Sequence, residues 1–148
     1  MGPMDLQLSR RADYGVRASL YLAEAWGDGS YRKIREISGA MALPRSFTPQ
    51  VLGDLVRAGL VEAKAGRDGG YRLARPPEAI SLLQVVEASE GTLLPLRCTL
   101  RGIACDPNNP CPVHPAWFAA AQALRTSLAG ATLGDAVVRG GTSIRPTA

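Results

Sequence analysis

Breaks in the first half of the chain separate three helical segments from a hairpin, and few folds accept that order. Ala12, Val16, Leu20, Ala23 and Trp26 follow helical spacing. They predict a first helix over residues 10–26, capped by Ser9 and ended by Gly27-Asp28-Gly29. A short second helix from about Lys33 places Ile34, Ile37 and Met41 on one face, and Ala42-Leu43-Pro44 reads as a turn. A third helix over residues 46–58 buries Val51, Leu52 and Leu55, with Gly59 as a left-handed stop. Short helix, tight turn and helix make a helix-turn-helix pattern. Two extended runs, residues 60–65 and 71–74, then flank Gly66-Arg67-Asp68-Gly69-Gly70. They predict a β-hairpin with Arg67 at its tip. A hairpin in that position is a wing.

The second half is helical again. Pro76-Pro77 breaks the chain, and Ser81 with Gln84 forms a capping box for a helix ending at Gly91. Pro115 suits the first turn of a long helix that shows Trp117, Ala120, Ala121, Leu124 and Leu128 and stops at Gly130. So broad an apolar stripe, lying beyond the winged unit, predicts a dimer interface; packing within one subunit is the alternative. Thr132 caps a last short helix to Val138. The expected class is mainly α with a small β-hairpin wing: a winged helix-turn-helix plus a long C-terminal dimerisation helix. The expected organisation is residues 6–76 for the winged unit, 77–138 for a ligand loop with dimerisation helices, and 139–148 for a disordered tail.

The 148 residues carry a net charge of +4, with a pI near 9.3. That balance is compatible with nucleic acid but weak as a signal alone. No stretch approaches the roughly 18 apolar residues of a membrane span, and residues 1–20 lack a secretory core. A cytoplasmic protein with no membrane partner is expected.

All three cysteines and the single histidine fall in one stretch, Cys98-x6-Cys105-x5-Cys111-x2-His114. Thiolates and imidazole are ligands for Zn²⁺ or for iron–sulfur iron. Structural zinc favours cysteines two to four residues apart. Only Cys111-x2-His114 approaches that, and the wider gaps suit a larger object such as a cluster. A zinc-stabilised or thiol-redox protein on the same scaffold remains the alternative. A catalytic Cys–His pair would need an orienting third group and a substrate pocket, and the sequence suggests neither. No enzyme is expected.

Recognition helices read bases from their first turns. Here that segment offers Arg45, Ser46, Phe47, Thr48 and Gln50, with polar groups for base edges and a ring for a thymine methyl. Pro49 requires the helix to start near residues 46–48. Arg67 on the wing is a candidate for the minor groove. Lys64, Arg10, Arg11 and Arg32 are candidates for phosphate contacts.

Taken together, these residues resemble the Rrf2 family of bacterial winged-helix regulators, which includes the IscR and NsrR types. The resemblance runs from about Leu6 to Val138. It is carried by Leu8-Ser9-Arg10-Arg11-Ala12-Asp13-Tyr14-Gly15-Val16-Arg17, by Leu55-Val56-Arg57-Ala58-Gly59-Leu60-Val61 and by Gly69-Gly70-Tyr71-Arg72-Leu73. Ile80-Ser81-Leu82-Leu83-Gln84-Val85-Val86, the cysteine loop and Thr132-Leu133-Gly134-Asp135 follow in order. The resemblance implies a homodimer on double-stranded, pseudo-palindromic operator DNA. It also implies an iron–sulfur cluster, 2Fe–2S or 4Fe–4S, held by Cys98, Cys105 and Cys111. For the fourth ligand, IscR-like members point to His114, and NsrR-like members to Asp13 of the other subunit. The first cysteine gap is one residue longer here than in those types, and Pro49 removes a side-chain contact from the recognition helix.

Overall fold

The computed structural model describes residues 7–93, 106, 108, 109 and 111–144. The described residues form six α-helices: α1 (Arg10–Glu24), α2 (Ile34–Met41), α3 (Thr48–Arg57), α4 (Leu82–Glu90), α5 (His114–Ala129) and α6 (Leu133–Val138). Strands β1 (Val61–Lys64) and β2 (Gly70–Leu73) pair antiparallel, with Val61 opposite Leu73 and Lys64 opposite Gly70. This is the mainly helical winged architecture expected from the sequence.

Ser9 caps α1 by accepting the Ala12 amide at 3.2 Å. One face of α1 buries Ala12, Gly15, Ala18, Ser19, Leu20, Leu22 and Ala23. Helices α2, α3, α4 and α6 all pack on it, so the core is continuous from the winged unit to the C-terminal helices. Ile37, Met41, Leu52, Leu55, Leu73, Ile80, Val85 and Leu133 complete that core. The helical spacing expected to run to Trp26 breaks before it. The α-helix ends at Glu24, and a 3-10 turn over Trp26–Asp28 carries the indole to the surface.

The turn between α2 and α3 uses Ala42 at φ 55°, an uncommon conformation for a residue with a side chain. Helix α3 starts at Thr48, two residues later than the apolar pattern predicts, with Pro49 in its first turn where no amide partner is lost. Gly59 is left-handed at φ 75°, as expected. The Arg32 and Tyr71 backbones exchange hydrogen bonds of 2.8 and 2.9 Å, which adds a third edge to the hairpin.

Ser81 and Gln84 form the expected capping box on α4, and Thr132 and Asp135 form another on α6. Part of the stretch expected as a tail folds back on α1. Gly141–Ile144 forms a 3-10 turn, and Thr142 donates its amide to Glu24 at 2.7 Å and its hydroxyl to the same carboxylate at 3.1 Å. Those bonds satisfy backbone that a frayed tail would leave to water. Residues 145–148 lie outside the described residues.

Two glycines predict stability changes of opposite sign. A Cβ on Gly70 (φ 144°) would collide with the Arg32 carbonyl, whereas one on Gly39 in α2 meets nothing within 4 Å. Gly70→Ala should cost about 1–3 kcal/mol, and Gly39→Ala should add up to about 1 kcal/mol. Urea unfolding of both variants measures this.

Candidate nucleic-acid interface and ligand turn

Helix α3 advances about 100° per residue. Pro49, Gln50, Gly53 and Arg57 therefore share one arc, with Pro49, Gln50 and Arg57 exposed and Gly53 half-buried. The opposite arc buries Thr48, Val51, Leu52 and Leu55. Arg45 and Ser46 are exposed in the turn just before the helix. Phe47, the N-cap residue, is half-buried and meets Tyr14 of α1 edge-on at 5.8 Å.

Thr48 does not fit the base-reading role expected of it. It is 1% exposed. Its hydroxyl donates to the Pro44 carbonyl at 2.8 Å and accepts from the Ser38 hydroxyl at 2.9 Å. Thr48 thus locks α2, the turn and α3 together. First-turn position alone cannot tell an outward hydroxyl from an inward one. Gly53 and Arg57 also lie on the outer arc, beyond the first turn. The period of α3 could have found both.

Asp54 sits at the edge of the exposed arc and is 7% exposed. Arg11 grips it with two bonds, Nε to Oδ2 at 2.5 Å and Nη2 to Oδ1 at 2.7 Å, and Arg57 Nη2 donates to Oδ1 at 2.6 Å. Hydrogen bonding from Arg11 is the main reason the Asp54 carboxyl lies below the usual carboxylate range. Desolvation pushes the other way, and the two guanidinium charges lower it further.

The wing is braced from α2 and the segment before it. Tyr31 stacks under Arg72 at 4.5 Å and Lys64 at 5.6 Å, and its hydroxyl donates to Glu62 at 3.1 Å. Arg72 pairs with Glu62 across the strands. That hydrogen bond is the largest cause of the lowered Glu62 carboxyl pKa. Lys33 Nζ donates to the Gly66 carbonyl at 2.9 Å, which leaves Arg67 exposed at the tip of a braced turn. Lys64 is also exposed.

Of the candidate cluster ligands, Cys98 and Cys105 lie outside the described residues. Cys111 is a half-buried free thiol. Its carbonyl accepts the His114 amide at 3.0 Å, so both residues lie in one turn at the start of α5. The His114 ring stacks on Phe118 at 5.9 Å. A thiol and an imidazole borne on one turn are donor types that suit a thiophilic metal or iron–sulfur iron. Asp13 lies on α1, where its carboxylate accepts from Arg17 at 2.9 Å. Among the described residues no three His, Cys, Asp or Glu side chains gather as a metal site, so one chain does not bring Asp13 to Cys111 and His114.

Helix α5 buries none of its residues, and Trp117, Phe118 and Leu124 are exposed along it. Arg125 pairs with Glu87 of α4 near its far end.

This architecture defines a winged helix-turn-helix protein. Residues 8–139 match the family model of Rrf2, described as an iron-dependent transcriptional regulator. The chain is 35% identical over 133 residues to protein aau3 of Rhizobium meliloti (strain 1021), covering 89% of this chain and 85% of the relative. It is 32% identical over 130 residues to a Mycobacterium tuberculosis (strain ATCC 25618 / H37Rv) protein named as an HTH-type transcriptional regulator, covering 88% and 80%. Two solved structures share the fold. T. potens IscR has a TM-score of 0.75 at 24% identity over 99% of this chain and 97% of that one. CymR, the global cysteine regulator of B. subtilis, has a TM-score of 0.76 at 24% identity over 91% and 98%. The chain belongs to the Rrf2 family of DNA-binding transcriptional regulators and is not an enzyme. No helix among the described residues is long and apolar enough to cross a membrane.

The Asp54 site predicts an acid limb in stability. A carboxyl whose pKa is lowered by folding stabilises the fold fully above its unfolded value near 4. That contribution is lost as pH falls through the lower folded value. Asp54→Asn should therefore cost about 1–3 kcal/mol at pH 7 and flatten the stability profile below about pH 4. Urea unfolding of both proteins between pH 7 and pH 2 checks it.

Proposed function

We propose that this regulator senses an iron–sulfur cluster held by its cysteine loop, and that it binds double-stranded operator DNA as a cytoplasmic homodimer. The observation that carries the reading is the Cys111–His114 turn: a free thiol and an imidazole together at the head of α5, in a chain whose other two cysteines occupy the same loop. Cys98, Cys105 and Cys111 supply thiolates. A bound cluster would supply a centre that responds to redox state, nitric oxide or iron supply.

In sequence, residues 91–113 join α4 to α5, so a cluster held there would connect two elements that bear on the partners. Glu90, at the end of α4 just before the loop, accepts the Ser9 amide at the start of α1 at 2.7 Å. Helix α5 begins directly after the loop. A change at the cluster would therefore be passed to the winged unit through α4 and to the dimer through α5. A dimer needs its recognition helices about 34 Å apart to engage both half-sites. Arg45, Ser46 and Gln50 are the base-reading candidates, with Phe47 beside them, and Arg67 and Lys64 are the wing contacts. Supporting the dimer is the uncovered face of α5, where Trp117, Phe118 and Leu124 meet no core of their own.

His114 is the favoured fourth ligand, because it follows Cys111 in the same turn. Asp13 of the other subunit is the competing ligand, and it would have to leave Arg17. The second functional reading is a Cys3His zinc or thiol-redox regulator, which the same donors also suit.

Protein isolated without oxygen should be brown and contain iron and sulfide, and replacing Cys98, Cys105 or Cys111 by Ala should abolish its visible bands. A colourless protein containing zinc and no sulfide sinks the cluster reading. His114→Ala should shorten cluster lifetime and shift the spectrum more than Asp13→Ala; the reverse order makes Asp13 the ligand and the site shared.

Light scattering at micromolar concentration should give a dimer mass, and Trp117→Glu with Leu124→Glu should shift it to the monomer. A monomeric wild type contradicts the α5 interface.

A further inference from the structure

We propose that Arg11 and Arg57, organised by Asp54, form a site for a DNA backbone phosphate at the edge of the recognition helix. Arg57 lies at the C-terminal end of α3, on the same exposed arc as Pro49, Gln50 and Gly53, and its side chain is 69% exposed. Arg11 reaches the same carboxylate from α1 with its side chain 40% exposed. Arg11 commits Nε and Nη2 to Asp54, and Arg57 commits Nη2. Arg11 Nη1, and Arg57 Nε and Nη1, are not used on Asp54. Two guanidiniums on one carboxylate leave one positive charge uncompensated beside the helix face.

Asp54 is the informative member. A buried carboxylate next to DNA opposes phosphate unless its charge is neutralised. Here it is neutralised, and it fixes two long side chains that would otherwise lose rotamer freedom on binding. Gly53 completes the site. A Cβ there would lie 3.2 Å from Arg57 Nη1, so its absence leaves room for the guanidinium to lie along the helix and for a phosphate to approach.

The inference rests on the DNA-binding part of the proposed function and not on the cluster. Wild-type protein that shifts no duplex removes that part. Wild-type binding with variants that behave alike removes this site alone. Arg57→Gln should weaken operator and unrelated duplex by the same factor, about three- to tenfold, and should flatten the slope of log affinity against log salt by about 0.9. Arg11→Gln should do the same. Asp54→Asn removes a negative charge, so charge alone would tighten binding; loss of the organising carboxylate should instead weaken it severalfold. Circular dichroism confirms that each variant is folded, and Arg57→Gln, the most exposed, keeps the test alive if Asp54→Asn unfolds. Unchanged salt slopes in both arginine variants, or tighter binding by folded Asp54→Asn, overturns the proposal. Inorganic phosphate, titrated by calorimetry, should show no saturable binding at millimolar concentration. Saturable binding that Arg57→Gln abolishes would assign the site to free phosphate and overturn the DNA reading.

Discussion

At Gly15 the backbone of α1 runs so close to α4 that a Cβ would sit 2.8 Å from the Ser89 hydroxyl. Ala12, Ala18 and Ser19 are also buried on this helix, so its inward surface is built largely of small side chains. The close approach lets one helix serve as the common wall for α2, α3, α4 and α6. It has a cost, because the Ser19 and Ser89 hydroxyls are buried without a hydrogen-bond partner. Large residues around them supply the offsetting burial. Leu22, Ile37, Leu52 and Leu55 are each fully enclosed, and burying such a side chain contributes about 1.5–3 kcal/mol.

Because α1 is the common wall, its first turns bear on the proposed DNA-binding surface. Arg11 holds Asp54 near the end of α3, and Tyr14 meets Phe47 at its start. Helix α3 is thus held near both ends from one helix. Ser38, Thr48 and the Pro44 carbonyl hold the turn from the inside. A recognition helix fixed at three places presents its outer arc with little freedom to lose on binding, which favours affinity.

Helix α5 is built on a different balance. An isolated helix of about this length is marginal in water, and none of α5's residues is fully buried, with Ala121, Arg125 and Leu128 half-covered. Among the described residues it packs on α4, where Arg125 pairs with Glu87, and it begins in the turn at Cys111–His114. Under the proposed homodimer, burial of Trp117, Phe118 and Leu124 supplies the missing stability. The helix that follows the cysteine loop would then be stable only in the assembled regulator.

Local order in this chain was legible without coordinates. Ser9, Ser81 and Thr132 announce helix starts, Gly59 and Gly91 announce stops, and Gly66 to Gly70 announces the wing, because caps and left-handed turns depend on a few neighbouring residues. The clustering of Cys98, Cys105, Cys111 and His114, and the family resemblance, were equally open to reading. What depends on distant partners was not. Thr48 turns inward because Ser38 and the Pro44 carbonyl wait for its hydroxyl. Asp54 tolerates burial because Arg11 arrives from 43 residues away in sequence. Residues 141–144 turn back on α1 because Glu24 accepts the Thr142 bonds from 118 residues away. Periodicity says which residues share a face. Only the tertiary structure decides which face meets water, because that choice is made by side chains far apart in the sequence.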